Sequence, residues 1–284
     1  MKNISIVIPN LNGESYLKKF IISLNKAIHS CPTAKFQIIF VDNHSTDSSL
    51  KIIKNLLPQS TIIKLSKNFG FAKAVNQGIT KAIYPYVCVL NNDLVLKTNW
   101  FKELVPLLNP KIGSVSSTVK NYSGLEIESQ GINFLPFGKC LQIKHNPNNF
   151  AWGSSAAAVI YYRPTIIKIG LFDEQFFAYL EDVDLAYRLS NLNLTTHISK
   201  KTWVYHYGGG TSDKFGNFRS YYSCRNWFYF IIKHYSFKQI FDNFPLILIE
   251  RLRNLSYLIK STSFIKLPYY LSKLFLEIIV YLLK

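Results

Sequence analysis

Acidic residues are scarce in this chain of 284 residues: 16 Asp and Glu stand against 33 Lys and Arg, a formal net charge of +17. Such a shortage asks for an anionic partner, and nucleic acid, an anionic membrane surface or a small anionic ligand would each serve. Cysteine is scarce too. Cys31, Cys88, Cys140 and Cys224 lie far apart with no CxxC pair, which argues against a disulfide scaffold or a zinc site and for reduced thiols in a cytoplasmic protein. No predominantly apolar run reaches about 18 residues, so a clean transmembrane helix is not expected. The apolar stretch after Lys2 is too short for a signal peptide and runs straight into a strand pattern. GxGxxG and GxxxxGK[ST] are both missing, so neither a Rossmann dinucleotide site nor a P-loop is supported. Apolar residues are plentiful at 48%, with only 17% charged, which excludes a disordered chain. At about 150 residues per domain the length allows one large domain or two small ones.

The first hundred residues alternate two periods. Ile4–Ile8 predicts a strand; Leu17, Phe20, Ile21, Leu24 and Ile28 then recur at helical spacing. Phe36–Val41, Thr61–Leu65 and Tyr86–Leu90 predict three more strands, with helices through Leu50–Leu57 and Phe71–Ala82 between them. Strand–helix alternation at this pitch implies a parallel sheet covered on both faces, and ligands bind outside the carboxyl ends of such strands.

Each strand is followed by a short polar segment: Pro9-Asn10-Leu11-Asn12-Gly13, Asp42-Asn43-His44-Ser45-Thr46-Asp47, Ser66-Lys67-Asn68-Phe69-Gly70, and Asn91-Asn92-Asp93. Turn and capping chemistry explains any one of them. Four in series on the ligand-binding edge point to a site. Asp42 could offer a carboxylate to a nucleotide base, and Asp93 could hold Mg²⁺ or Mn²⁺ against a diphosphate.

Beyond residue 110 the alternation fails. Gly113–Val119 and Ser154–Tyr162 read as strands, and 121–150 as hairpins and loops. Five of the 16 acids fall within residues 173–184, among Phe172, Phe176, Phe177, Tyr179 and Leu180. Asp182 would start a helix whose apolar face is Leu185 and Leu189. A charged, capped first turn is one reading of Glu181, Asp182 and Asp184; a base in an aromatic pocket is the other, and the density of acids favours it. Thr202–Tyr205 predicts a strand ending in His206, followed by Gly208-Gly209-Gly210. Taken alone, His206 fits a structural residue and a ligand equally well.

Together these segments resemble the family 2 glycosyltransferases of the GT-A fold, especially their rhamnosyltransferase-like bacterial branch. The resemblance rests on Val7–Asn12, Val41–Asp47, Asn68–Asn76, Leu90–Asp93, Gly170–Glu174, Phe176–Arg188 and His206, in family order over roughly residues 4–230. It implies an α/β fold, with a mostly parallel sheet flanked by helices, and inverting transfer of a sugar from a nucleotide-diphosphate donor to an acceptor hydroxyl. By the same resemblance Asp42 would bind the base, and Pro9, Asn12, Asn68, Gly70, Lys73 and Asn92 would line the nucleotide site. Asp93 matches the last acid of the metal motif, His206 a position that completes the metal site in some members, and Asp182 the general base, with Glu181 and Asp184 as supporting acids. The ion would be Mn²⁺ or Mg²⁺. Two departures stand out: Asn91-Asn92 precedes Asp93, which lowers the site's negative charge, and Lys73 stands where many relatives carry Arg. A non-catalytic nucleotide-sugar binder is the alternative these departures leave.

This divides the chain into a catalytic region, 1–215, and a basic helical extension, 216–284. Within the catalytic region, residues 1–110 would take the nucleotide and residues 111–215 would supply the acceptor side and the base. Residues 200–284 hold 13 Lys and Arg against 4 acids, whereas residues 1–199 hold 20 against 12. Apolar positions with Tyr, Trp and Lys flanks predict two or three helices in the extension. Residues 216–236 read as a packing helix, and 245–284 as interfacial helices on an anionic membrane surface, or else as a helical cap packing on the catalytic region or on a second subunit of a homodimer. Lipid-linked or other glycan acceptors at the inner face of the cell membrane would suit that tail. Nucleic acid is the weakest partner: no RRM, KH or helix-turn-helix signature is present, and the acids of 173–184 would repel phosphates.

Overall fold

The structure, a computed structural model, describes residues 2–208 and 216–283. Strands β1 (Ile4–Asn10), β2 (Phe36–Asp42), β3 (Thr61–Lys64) and β4 (Tyr86–Leu90) alternate with helices α1 (Glu14–His29), α2 (Ser49–Leu56) and α3 (Phe71–Lys81). They lie in the order β4-β1-β2-β3, every pair parallel, as the alternation of periods requires. Two short elements come next, β5 (Leu94–Leu96) and α4 (Trp100–Leu104). Neither is long enough to show a period.

The middle of the chain is less regular. Strands β6 (Ser114–Asn121), β7 (Ile127–Ser129), β8 (Ile132–Leu135), β9 (Lys139–Gln142), β10 (Phe150–Ala151) and β11 (Ala158–Tyr162) precede helices α5 (Arg163–Lys168) and α6 (Glu181–Ser190), and β12 (Thr196–His206) closes this region. The full sheet order is β10-β12-β6-β11-β4-β1-β2-β3. β11 runs antiparallel to both β4 and β6, with Ala158 opposite Leu90. That reversal brings the residues leading into β11 to the same edge as the segment leaving β4.

Period-two alternation sorts the strands between two cores. Ile4, Ile6 and Ile8 of β1 pack with Leu17, Phe20 and Leu24 of α1 and with Trp100 and Phe101 of α4. On the opposite face Val7, Ile39 and Val41 meet Val75 and Ile79 of α3 and Leu185 and Leu189 of α6. Burying a Leu or Ile side chain contributes about 1.5–3 kcal/mol each, so these two layers hold the sheet edge rigid.

Three helices follow: α7 (Phe218–His234), α8 (Phe237–Ser261) and α9 (Leu267–Leu282). α7 is a packing helix. Trp227 and Phe230 share a core with Ile132, Phe176 and Val183. α8 starts earlier than the apolar stripe after 245 suggests, because Ser236 and Gln239 form a capping box ahead of it. α8 and α9 pack on α7. Phe237, Phe241, Phe244, Leu248 and Leu252 of α8 and Phe275 and Leu276 of α9 remain exposed, and Phe264 and Ile265 between the helices are 90% and 91% exposed. Arg251 of α8 is buried: it donates to the Gly138 carbonyl at 2.7 Å and stacks 4.9 Å from the Trp227 ring centre. Among the described residues no helix is long and apolar enough to cross a membrane.

Candidate active site

The polar segments after β1, β2 and β4 and before α3 meet at one edge, locked together by side chains. Asn10 Nδ2 donates to Ser45 Oγ at 2.9 Å, and Asn92 Nδ2 donates to Asn10 Oδ1 at 2.5 Å. The Asn12 N–H donates to Ser45 Oγ, and Asn12 Oδ1 accepts the Thr46 N–H at 2.8 Å. Asn43 bridges to the next segment, donating to Asn68 Oδ1 at 2.9 Å and accepting the Phe69 N–H at 2.9 Å. Asp42 is buried at the end of β2, its carboxylate facing the Ser45 N–H at 3.3–3.4 Å. Pro9 lies beside it in β1, opposite Val41. Pro9, Asn12, Asp42, Asn68 and Asn92 are thus brought together.

Gly70 has a different task from lining. Its φ is +86°, and a Cβ there would collide with the Phe177 carbonyl oxygen and ring. The close approach lets that carbonyl accept the Phe71 N–H at 2.6 Å, capping the N-terminus of α3. Lys73, one turn on, pairs with Glu174 at 3.1 Å. Asn76 of the same helix holds the backbone of Phe172, donating to its C=O at 2.8 Å and accepting its N–H at 3.1 Å. α3 and the loop ahead of α6 are therefore fastened at three points.

Asp182 sits in the first turn of α6, half-buried. Its Oδ1 accepts the Val183 N–H at 2.8 Å, which is capping chemistry, while Oδ2 accepts the Ala156 N–H at 3.2 Å across the sheet edge. Burial pushes its pKa up against the pull of those N–H groups. Burial, and then the Asp182 charge, push neighbouring Glu181 well above the usual carboxylate range. Asp184 points elsewhere. Fully buried, it accepts from Arg188 at 2.6 Å, Lys233 at 2.8 Å and His234 at 2.7 Å, tying α6 to α7. Burial alone would raise its pKa; the His234 hydrogen bond, then the charges of Arg188 and Lys233, override this and lower it to about 2.

The loop before Asp182 has an improbable backbone, with Phe177, Tyr179 and Leu180 all at φ between 63° and 67°. α7 holds it there. Asn226 Nδ2 donates to the carbonyls of Phe176, Ala178 and Tyr179 at 2.8, 2.8 and 2.6 Å, and Arg225 donates to those of Gln175 and Phe176 at 2.9 Å.

Asp93 and His206 come together. His206 Nε2 lies 3.5 Å from Asp93 Oδ2, and its Nδ1 is 3.1 Å from Glu128 Oε2. A carboxylate on one ring nitrogen aims the other at its target, as in many metal-bound histidines. Burial lowers the His206 pKa, but Asp93 and then Glu128 raise it further, so the net shift is upward. Among the described residues Asp93 Oδ1 is buried with no hydrogen-bond partner, as are Asn91 Oδ1, Ser154 Oγ and Glu181 Oε2. Bare buried oxygens are costly and suit a cation or a ligand's donors. The donor set Asp93 and His206 fits Mn²⁺ or Mg²⁺ with the remaining positions left to phosphate and water. No group of three or more His, Cys, Asp or Glu that could hold a metal occurs among the described residues. Residues 209–215, which include Gly209 and Gly210, lie outside the described residues.

Residues 5–161 match the family model described as Glycosyl transferase family 2. The chain belongs to that family. Among relatives of this glycosyltransferase, an uncharacterized glycosyltransferase of Haemophilus influenzae is 31% identical over 146 residues, 49% of this chain and 54% of that one. The poly-beta-1,6-N-acetyl-D-glucosamine synthase of Staphylococcus aureus is 23% identical over 161 residues, 55% of this chain and 39% of that one. The chain thus spans about half, or less, of the length of these curated relatives. S. aureus TarS 1–349, solved with UDP-GlcNAc, superposes with a TM-score of 0.57 at 16% identity, covering 81% of this chain and 67% of that one. A mannosyltransferase of Pyrobaculum calidifontis, solved with GDP-Man and Mn²⁺, gives 0.60 at 13% identity over 99% and 85%. These likenesses show the GT-A fold.

Sequence reasoning passed over several residues of the glycosyltransferase site. Asn43, Ser45 and Asn76 lay inside the segments that carry the resemblance, and their polarity was the available signal. Glu128, Arg225 and Asn226 had none, since each acts on residues at least 47 positions away in the chain.

Proposed function

We propose that this family 2 protein transfers a hexosyl or deoxyhexosyl group, with inversion, from a nucleotide-diphosphate donor to a hydroxyl of a glycan or lipid-linked acceptor in cell-surface polysaccharide synthesis. One observation carries this reading. Asp182 Oδ2 is tied to the Ala156 N–H, and the carbonyl of the next residue, Ala157, accepts the Asn91 N–H at 2.8 Å. Asp182 and the Asn91-Asn92-Asp93 segment are thus tied to consecutive residues of one strand end, although 89 positions separate Asp93 from Asp182, and this proximity supports Asp182 as the base.

In this scheme Asp42 and the asparagine lattice around Asn12, Asn68 and Asn92 receive the nucleotide. Asp93 and His206 would hold a Mn²⁺ or Mg²⁺ ion, which neutralises charge on the departing diphosphate. Asp182 takes the proton of the acceptor hydroxyl as the new C–O bond forms and the bond to the diphosphate breaks. Base and leaving group on opposite faces of the sugar give inversion. The raised pKa of Asp182 suits it to accept a proton near neutral pH.

The exposed apolar face of α8 and α9, with Lys238, Lys260 and Lys266 exposed beside it, supports seating on the anionic inner face of the cell membrane. A second subunit is the other cover for the same face. Thermal-shift titration with UDP-, GDP- and dTDP-sugars plus Mn²⁺, followed by assay of nucleotide release and of the product's anomeric configuration, tests the reading. A stabilising donor that is turned over with inversion is the expected result. Binding without turnover would leave the non-catalytic alternative, and a retained anomer would overturn the mechanism.

A further inference from the structure

A groove of about 590 Å³ lies between α1 and β5, away from the nucleotide lattice. Its volume falls within the range of about 300–1,000 Å³ typical of small-ligand pockets. Its lining combines Lys19 and Lys26 with Thr98 and Ser123 and contains no acidic side chain; the Ser23 hydroxyl, also at the groove, is taken up by the Phe20 carbonyl and the Leu96 N–H. Lys19 is held at the rim by two phenols, 3.0 Å from the Tyr122 hydroxyl and 2.9 Å from that of Tyr207, whose rings stack on each other at 3.6 Å. Those hydrogen bonds, that to Tyr122 first, raise the Lys19 pKa, so the ammonium stays charged. Beyond the groove the basic surface continues: Lys97 and Lys120 lie 3.6 and 4.3 Å from the Trp203 ring centre. Among the described residues none of these four lysines pairs with a carboxylate. An unpaired cationic strip is a site of stored repulsion that an anion relieves.

The groove adjoins the metal pair. Asp93 immediately precedes β5, which supplies Val95 and Leu96 to the lining, and Tyr207 follows His206 and donates its N–H to the Asp93 carbonyl at 3.1 Å. Lysines, hydroxyls and tyrosines suit a sugar chain: point charges for acidic groups, hydroxyls for hydroxyls, rings for the C–H faces of sugars. We propose that this groove binds a negatively charged saccharide, the anionic body of the acceptor, beside the site of transfer. The inference rests on the acceptor reading given above and narrows it to acidic glycans.

The test measures binding of carboxymethyl dextran, neutral dextran of equal length and an RNA oligomer of matched charge to the full chain, by calorimetry at low salt. Lys26→Gln and the double variant Lys19→Gln/Lys26→Gln are measured beside it, with thermal unfolding as a check of folding. The expected result is that carboxymethyl dextran binds and neutral dextran does not, with a loss of about fivefold to tenfold in the double variant. Nucleotide-sugar affinity stays unchanged in both variants. Equal binding of the two dextrans, unchanged affinity in the double variant, or tighter binding of RNA would overturn the proposal. Donor binding is read separately: if no nucleotide sugar binds the wild-type chain, the transfer reading fails. If donors bind and the charged dextran does not, only this inference fails.

Discussion

Asp182 and Asn91 are joined through two consecutive residues: the carboxylate holds the N–H of Ala156, and the carbonyl of Ala157 holds the N–H of Asn91. The antiparallel course of β11 makes this link, because it delivers Ala156 and Ala157 to the carboxyl edge of β4. Asp182 and the Asn91–Asp93 segment therefore share one rigid frame. Asp182→Asn keeps the size and one of the two hydrogen bonds, to Ala156 or to Val183, but cannot take a proton. Transfer should fall by about 10²–10⁴-fold, the usual contribution of a general base, with donor affinity nearly unchanged. Loss of donor affinity with chemistry intact would reassign the residue.

Asp93→Asn removes the charge opposite His206 without removing volume. Donor binding should lose its dependence on Mn²⁺, measured as the shift in donor Kd with and without the ion. An unaltered metal titration would exclude Asp93 as a ligand.

Asn226→Leu removes the amide donor shared by three carbonyls of the 176–179 loop, of which that of Phe176 keeps Arg225. The expected cost is about 2–4 kcal/mol in urea unfolding. A positioning role adds a second sign: kcat should fall while the KM for the donor stays near wild type. A variant that is destabilised but turns over normally would make Asn226 structural only.

Gly70→Ala places a Cβ against the Phe177 carbonyl at a φ of +86°. The carbonyl must retreat, uncapping α3 and loosening the loop. Hydrogen exchange of the Phe71 amide should accelerate, and an unchanged rate would show that the capping bond is dispensable.

Asp184 gives a pH test. Its carboxylate is depressed to about 2 in the folded state, so its contribution is complete above the unfolded value near 3.9 and is lost as pH falls through the folded value. The stability gap between wild type and Asp184→Asn should be on the order of 2 kcal/mol at about pH 6 and should close toward about pH 2. A gap independent of pH would mean that packing alone accounts for the residue.

Much of the fold was legible because the first four strands and three helices carry clean periods, and Tyr86–Leu90 matches β4 residue for residue. β12 begins at Thr196 rather than Thr202, because exposed Lys200 and Lys201 and a register shift between Ser199 and Trp203 interrupt its alternation. The direction of β11 left no mark in its composition, since a small apolar strand looks the same either way up. In the site, charge at a strand end drew the eye to Asp42 and Asp93. What Glu181, Asp182 and Asp184 each do depends on which way a helix turn faces, and three acids within four residues face three ways. The burial of Arg251 is illegible for a related reason. An arginine in an apolar stripe reads as a rim residue until Gly138 and Trp227, both distant in sequence, come up to it.

The hold of Asn226 on the backbone before Asp182 sets an order of events during synthesis. A ribosome releases the acid more than forty residues before the asparagine that shapes its loop. At that point β12 and His206 are still to come as well, and the carbonyls of Phe176, Ala178 and Tyr179 lack the amide that α7 brings to them. In the proposed mechanism competence waits for α7: a nascent chain stalled just short of it would carry Asp93, Asp182 and His206 without the side chain that shapes the loop before Asp182.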